Sequence, residues 1–435
     1  MKSLSVTRSL VLTGAGSGAR LLSSFVSISV TARYLGPGDF GALMFMLTLA
    51  TLLVVPANFG LSTYVLRTVA QATGDADADA DAVVSDAMSA RWLAMALSIP
   101  VFLAALLMLP AVVSRMLFGV LLLTMLAEGL SEFYVSVLRA RGHYGEDARL
   151  GVQTAWIYSI PVGLTAWATA SLDAVAWAYC LSRLVMTVRS RQVLSHMGIH
   201  ASWTSTRAAW ARLRASTAYA TDYAMTAMFG QIDGVVLNHH LGVVAVGMHQ
   251  AGMKLFMAAA QIAPILANVF LPRVASAALN RPADLHTESV RLQLTFVLVG
   301  AMVGLTFSLG APVLVGLAFG PQYGGLVELM PWFGLLFQVR FAAAAWGITL
   351  TARGQQSFRA TASVGHWILI IVLATALIPT FAAQGWLMAL VVGNAVLWMA
   401  YAGRIIGRSG GHQAGAAVVV VALVMMLPQG YLLAR

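Results

Sequence analysis

Charge is scarce in this sequence. Only 10% of its 435 residues are Asp, Glu, Lys or Arg, where a soluble globular chain carries about 25%, so the chain cannot cover a water-facing surface. Its single cysteine, Cys180, excludes an intrachain disulfide and a cysteine metal cluster. Lysine occurs twice, at Lys2 and Lys254, and arginine stands everywhere else. There is no G-x-x-x-x-G-K-[ST] or H-E-x-x-H, which excludes nucleotide hydrolysis by a P-loop and offers no zinc-protease helix. His196 and His200 are four apart without that Glu and read as a solvated pair. No cofactor or metal is expected, and transport is favoured over catalysis.

What is present is apolar. Hydrophobic residues make up 59% of the chain and the mean hydropathy is +0.81. They come in runs of roughly 20, enough to cross about 30 Å of hydrocarbon at 1.5 Å per residue. The runs are continuous where barrel strands would alternate, so the spans are helices. Candidate spans lie near 9–32, 41–64, 92–110, 116–138, 151–170, 172–188, 217–238, 244–271, 292–318, 327–350, 363–380, 383–403 and 414–433. With the N-terminus inside, 20 of the 26 basic residues face inward, three (Arg33, Arg115, Arg435) face outward and three sit in mid-span. That asymmetry obeys the positive-inside rule, so the net charge of +10 reflects topology and not nucleic-acid binding. The first run has basic residues ahead of it, as a signal peptide does, but continues to Thr31 without a cleavage site and reads as a retained helix.

The sequence repeats itself. Leu35-Gly36 with Gly41 matches Leu241-Gly242 with Gly247 at an offset of 206, and Arg67 falls on Arg273 at the same offset. Ala140-Arg141-Gly142 matches Ala352-Arg353-Gly354 at an offset of 212. Six helices separate the copies, so both run the same way across the membrane as a parallel repeat. The expected organisation is an all-α polytopic membrane protein with two six-helix lobes, 1–188 and 217–405, around a central cavity. An inner linker, 189–216, carries an interfacial helix with Trp203 and Trp210, and an extra transmembrane segment occupies 406–435. The alternating acids Asp75, Asp77, Asp79 and Asp81 read as a solvated loop, with cation binding as the alternative.

Ionisable residues at helix centres cost about 2.5–3.5 kcal/mol each on insertion scales, which makes each a functional candidate. Three basic ones lie deep: Arg20, Lys254 and Arg340. Ser17, Arg20, Ser24, Ser27 and Thr31 fall on one face of the first span, and Gln250, Lys254, Gln261 and Asn268 on one face of the eighth. Tyr219, Asp222, Thr226, Gly230 and Asp233 form a stripe on the seventh, and Glu128 and Glu132 a pair on the fourth. Such stripes fit helices lining an aqueous cavity; the alternative is polar packing with buried pairs such as Arg20 or Lys254 with Glu128 or Asp233. Gly14 and Gly18 fit a close helix contact, or else a bend point of the first span.

Arg33-Tyr34-Leu35-Gly36-Pro37-Gly38-Asp39-Phe40-Gly41 resembles the R-x-L-G-P-x-x-F-G signature of polysaccharide flippases in the multidrug/oligosaccharidyl-lipid/polysaccharide exporter superfamily. Gln231-Ile232-Asp233-Gly234-Val235-Val236-Leu237, with Leu241-Gly242 and Val246-Gly247, resembles the start of their second lobe. Phe319-Gly320-Pro321-Gln322-Tyr323 looks like their F-G-x-x-Y element, and Ile378-Pro379 with Gly385 like their late I-P-x-x-G element. The resemblance covers about residues 5–405. Thirteen spans depart from the family's twelve or fourteen, and the late element lacks its second glycine.

The resemblance implies a flippase of the bacterial inner membrane, with a cytoplasmic N-terminus, that turns over an undecaprenyl-diphosphate-linked oligosaccharide by alternating access. Substrate contacts then fall to Arg20, Lys254, Arg340, Gln250, Gln261 and Ser24, and coupling to an ion gradient to Glu128, Asp222 or Asp233. Partners are the lipid-linked substrate, membrane lipid and other polysaccharide-assembly proteins. The alternatives are a drug or small-solute antiporter of the same superfamily and a membrane-embedded polymerase, ligase or acyltransferase acting on a lipid-linked sugar.

Overall fold

The computed structural model describes residues 6–71, 77–108, 114–199, 202–280 and 282–409. Every regular element among them is helical, as hydrocarbon demands of a chain that must satisfy its own backbone groups. In order they are α1 (Val6–Asn58), α2 (Leu61–Gln71), α3 (Asp77–Met108), α4 (Arg115–Ala140), α5 (Tyr144–Thr154), α6 (Ile160–Thr169) and α7 (Leu172–His196). A five-residue π turn, Ala155–Ser159, joins α5 to α6. There follow α8 (Thr206–Ala215), α9 (Thr217–Leu241), α10 (Val243–Ala260), α11 (Ile262–Asn280), α12 (Pro282–Leu309), α13 (Ala311–Ala318), α14 (Gly324–Ala352) and α15 (Gln356–Ser409).

Among the described residues, seven helical stretches are long and apolar enough to cross a membrane. Two of these, Leu22–Asn58 and Gln356–Ile406, each contain a backbone break, at Gly36 and Ala382. The continuous helix 144–169, α7 and α9 are also of spanning length, with polar stripes that lower their mean hydropathy. The described residues thus supply two successive sets of six spans, which makes this an all-α polytopic membrane fold. The expected thirteenth run, 414–433, lies outside the described residues.

Backbone geometry repeats where the sequence does. Gly36 (φ 72°, ψ 172°) and Gly242 (φ 81°, ψ 179°) break the chain in the same conformation, one open essentially to glycine alone. The Ala-Arg-Gly ends match bond for bond. Arg141 N donates to Val137 O, Gly142 N to Arg139 O and His143 N to Leu138 O; Arg353, Gly354 and Gln355 donate to Thr349, Thr351 and Leu350 in the same pattern. The same offset of 212 also relates Ala170 (φ 45°) and Ala382 (φ 48°), the positive-φ alanines that end one span and begin the next.

The chain packs as two compact units, Met1–Asn238 and His239–Arg435. By order α9 opens the second set of six; by its contacts most of it belongs to the first unit. There Thr48 donates to Gln231 (3.0 Å), Asn58 to the Tyr223 hydroxyl (2.8 Å) and Arg67 to the Tyr219 hydroxyl (3.0 Å). Gly60, at the α1–α2 break, has φ 62°, and a Cβ there would lie 2.4 Å from the backbone of Tyr219. The apolar core of the first unit gathers Tyr64, Val65, Met88, Phe133, Leu138, Leu150 and Leu194 from α2, α3, α4, α5 and α7. In the second unit Trp346, Trp398, Tyr401 and Val297 pack together, and α12 meets α14 through Gly300, Gly304 and Gly334, small residues that let membrane helices approach closely.

Two expectations need correcting. The acidic run is helical from Asp77, where α3 begins, so Asp77, Asp79 and Asp81 occupy its opening turns, where the helix dipole favours negative charge; Asp81 pairs with Arg141, and Asp75 lies outside the described residues. Arg91 and Arg183, counted among the inward-facing connections, instead lie within α3 and α7. Arg91 is 1% exposed, and both have partners inside the first unit.

Candidate functional site

α4 places Glu128, Glu132 and Arg139 on one face, within roughly 40° of each other at 3.6 residues per turn. α7 places Arg183, Met186 and Ser190 on one face, within roughly 60°. These faces enclose polar space in the first unit. One cavity of about 510 Å³ is lined by Thr51, Asn58, Ser62, Thr63, Glu132 and Tyr223, among others. A second of about 410 Å³ is lined by Ser24, Ser131, Thr154, Tyr158, Arg183 and Ser190, among others. Glu128, Glu132 and Arg139 border both.

The charges in this space are matched. Arg183 lies 3.0 Å from the Glu128 carboxylate and 4.1 Å above the Tyr158 ring. Arg139 donates through Nε and Nη2 to both oxygens of Asp147, at 2.9 and 3.2 Å, and through Nη1 to Glu132 at 3.3 Å. Asp147 is 1% exposed, so a fork-shaped donor holds a desolvated carboxylate. Beside the cavity, Arg91 donates to Asn58 and faces the Phe133 ring. A Cβ on Gly129 would lie 2.3 Å from the Asn58 side-chain oxygen and 2.6 Å from Arg91 Nη2. Neither cavity has a histidine or cysteine in its lining. What the space offers is hydroxyls and paired charges, suited to a hydrated or hydroxyl-rich group.

The structure brings Ser24 and Glu128 together here. Ser27 and Thr31, on the same stripe as Ser24, are buried, with the Thr31 hydroxyl bonded to the Ser27 carbonyl; the stripe is cavity at one end and packing at the other. The side chain of Arg20 lies outside the described residues. Asp222 is exposed on α9 and lines neither cavity, and Asp233 accepts from the Gly234 N–H at 2.8 Å. In the second unit, Gln250 and Lys254 stand one turn apart on α10, and Arg340 on α14 faces the ring of Phe256 at 5.7 Å. Gln261 is exposed at the α10–α11 break, donating to Met257 O. Among the described residues no carboxylate pairs with Arg340. Arg183, Arg139 and Asp147 were missed by reading spans one at a time; the signal was the Tyr179, Arg183, Met186, Ser190 face of α7, which complements the acidic face of α4.

A family model described as "Polysaccharide biosynthesis protein" matches residues 6–278, and the chain belongs to that family. A comparison with curated proteins finds no match. Solved structures similar to this chain include the lipid II flippase MurJ in an inward closed conformation, with TM-score 0.73 and 13% identity over 96% of this chain and 92% of that one. An inward-facing MATE-family multidrug resistance transporter of the MOP superfamily is similar with TM-score 0.65 and 14% identity over 92% and 95% of the two chains. The eukaryotic MATE transporter AtDTX14 is similar with TM-score 0.60 and 13% identity over 96% and 99%. The fold is that of MOP-superfamily transporters.

Proposed function

We propose that the protein is a flippase that moves an undecaprenyl-diphosphate-linked oligosaccharide across a bacterial inner membrane by alternating access, for surface or exopolysaccharide synthesis. The observation that carries this reading is the polar, charge-matched space enclosed by apolar spanning helices of the first unit, in a chain of a polysaccharide-biosynthesis family. Hydroxyls such as Ser24, Ser62, Thr63 and Ser131 suit sugar groups. Arg20 precedes Ser24 by one turn of α1; with Lys254 and Arg340 it is assigned to the diphosphate, whose oxygens favour charge-assisted donors. Gln250 and Gln261 are assigned to polar substrate groups. Glu128 is the coupling residue of choice because its carboxylate borders both cavities and is paired with the Arg183 guanidinium; Asp222 and Asp233 are the secondary candidates. The likeness to MATE transporters supports a second reading, antiport of a small solute.

The deciding experiment reconstitutes the protein in liposomes. A fluorescent lipid-linked oligosaccharide should lose its protection from an external glycosidase only when active protein is present. Ion-driven efflux of a cationic dye without any lipid turnover would favour the antiporter, and neither activity would favour a role in sugar-lipid assembly other than transport.

A further inference from the structure

A second kind of pocket lies on the first unit, about 350 Å³ in volume and lined by Pro56, Phe59, Ala94, Leu97, Val101, Trp210, Leu213 and Arg214, with Ser98 and Thr217. That is within the range of small-molecule pockets, roughly 300–1,000 Å³. Its walls are almost wholly apolar, and Leu97, Val101 and Trp210 are exposed. Its one charged residue is Arg214.

The amphipathic helix α8 explains the arrangement. Trp210, Leu213, Arg214 and Thr217 recur at i, i+3, i+4 and i+7, one helical face continuing into α9. Arg212, about 200° away around the helix, is committed elsewhere: it donates to Asp86 at 3.1 and 3.2 Å and to the Tyr64 hydroxyl at 3.3 Å. Thr204 adds a bond to Asp86 and one to Ser89. These contacts fix α8 along α3. Arg214 is held differently: its guanidinium lies 5.7 Å from the Trp210 ring, and among the described residues no carboxylate pairs with it. A cation beside an exposed tryptophan, in the lining of an otherwise apolar groove, matches a molecule with an anionic head and a hydrocarbon tail.

We propose that this groove binds one anionic phospholipid. Its phosphate contacts Arg214 at the membrane interface beside Trp210, and one acyl chain lies against Leu97 and Val101 of α3 and Pro56 and Phe59 of α1. Charge complementarity selects this occupant: a zwitterionic lipid fills the same apolar walls but brings its own ammonium to the arginine. The seat is mechanically placed, because Phe59 (φ 47°) and Gly60 (φ 62°) form the α1–α2 break. A bound chain therefore rests on the residue whose left-handed backbone sets the angle between those helices. The inference does not depend on what the protein transports.

The test is native mass spectrometry of the full chain in detergent, titrated with palmitoyl-oleoyl phosphatidylglycerol, palmitoyl-oleoyl phosphatidylcholine or undecaprenyl phosphate. Wild type should retain one phosphatidylglycerol under conditions that strip phosphatidylcholine. Arg214→Ala should weaken that retention about tenfold, the low end for loss of a hydrogen bond to a charged group. Val101→Trp, which replaces one exposed apolar side chain by a larger one, should weaken it by obstructing the groove. Arg207→Ala, an exposed arginine of α8 outside the groove lining, should leave it unchanged. Equal retention by Arg214→Ala, equal retention of the two phospholipids, or an equal loss in Arg207→Ala would each overturn the proposal. Preference for undecaprenyl phosphate over phosphatidylglycerol would overturn it too, and give the groove to a substrate lipid.

Discussion

The carboxylate of Glu128 on α4 and the guanidinium of Arg183 on α7 stand 3.0 Å apart, with the Tyr158 ring against the arginine. Arg183 is 20% exposed and Glu128, facing the cavities, 43%, so water screens the pair, and removing one partner costs well below the ~3–5 kcal/mol of a fully buried pair. Glu128→Ala and Arg183→Ala should each lower the thermal midpoint in detergent modestly, and the double variant should lose less than the sum of the two. Additive losses would mean that the two residues are not coupled.

The deep cations should matter for transport through their charge. Arg20→Ala and Lys254→Ala are each expected to abolish turnover of a labelled lipid-linked oligosaccharide in proteoliposomes, with insertion and thermal midpoint near wild type. Lys254→Arg should keep part of the activity, since the charge stays and the compact donor geometry is lost. Full turnover by the double alanine variant would remove the diphosphate assignment.

Cavity access can be read chemically. In a Cys180→Ala background, cysteine at Ser24, which lines the second cavity, should react with a membrane-impermeant thiol reagent. Cysteine at Ser27, which is 2% exposed, should not. The reverse pattern would invert the assignment of the first stripe.

The shared backbone signals at span ends predict opposite signs for opposite substitutions. Gly354→Ala puts a Cβ on a residue at φ 69° and should lower stability by about 1 kcal/mol. Ala382→Gly relieves an alanine at φ 48°, ψ −129° and should raise stability, by up to about 1 kcal/mol once the entropy of the new glycine is counted. Opposite shifts of the thermal midpoint are the expected result.

Gly129 admits no side chain without moving Asn58 or Arg91. Gly129→Ala should cost 1–3 kcal/mol, roughly the range for overpacking. It should also raise the hydrogen exchange of the residues around the α1–α2 break, because Asn58 is displaced from Tyr223. Unchanged exchange at Phe59 and Gly60 would show that Asn58 does not hold the break.

The helices and their order were legible in the sequence because hydrocarbon leaves so few alternatives. The repeated Leu-Gly and Ala-Arg-Gly motifs were legible for a related reason: they write backbone geometry directly, a glycine where φ is positive and a cap where a helix stops. The same holds for the motif at Gly320 (φ 85°) and the one near Ala382, so these parts of the family resemblance mark backbone breaks. The charged site was only half legible. Glu128 and Ser24 were found by helical phase, but phase gives a face without naming the helix opposite. Arg183 and Arg91 looked like topology signals because their partners, Glu128 and Asn58, lie 55 and 33 positions away, and only packing joins them. The Phe59–Gly60 break was hidden for a similar reason, since it depends on the backbone of Tyr219.

The Glu128–Arg183 pair also bears on how the protein is made. α4 enters the membrane with Glu128 and Glu132, whereas Arg183 arrives only 55 residues later, a delay of roughly 3–11 s at 5–20 residues per second. During that interval Glu128 lacks its counter-charge, at an insertion penalty of about 2.5–3.5 kcal/mol for an uncompensated charge at a helix centre. The span is therefore easier to retain at the protein-lined exit of the insertion machinery than to release into lipid by itself. Spans four to six of the first unit should leave that exit as a group, so that a ribosome stalled before codon 183 would hold α4 still within reach of crosslinking to the insertion channel.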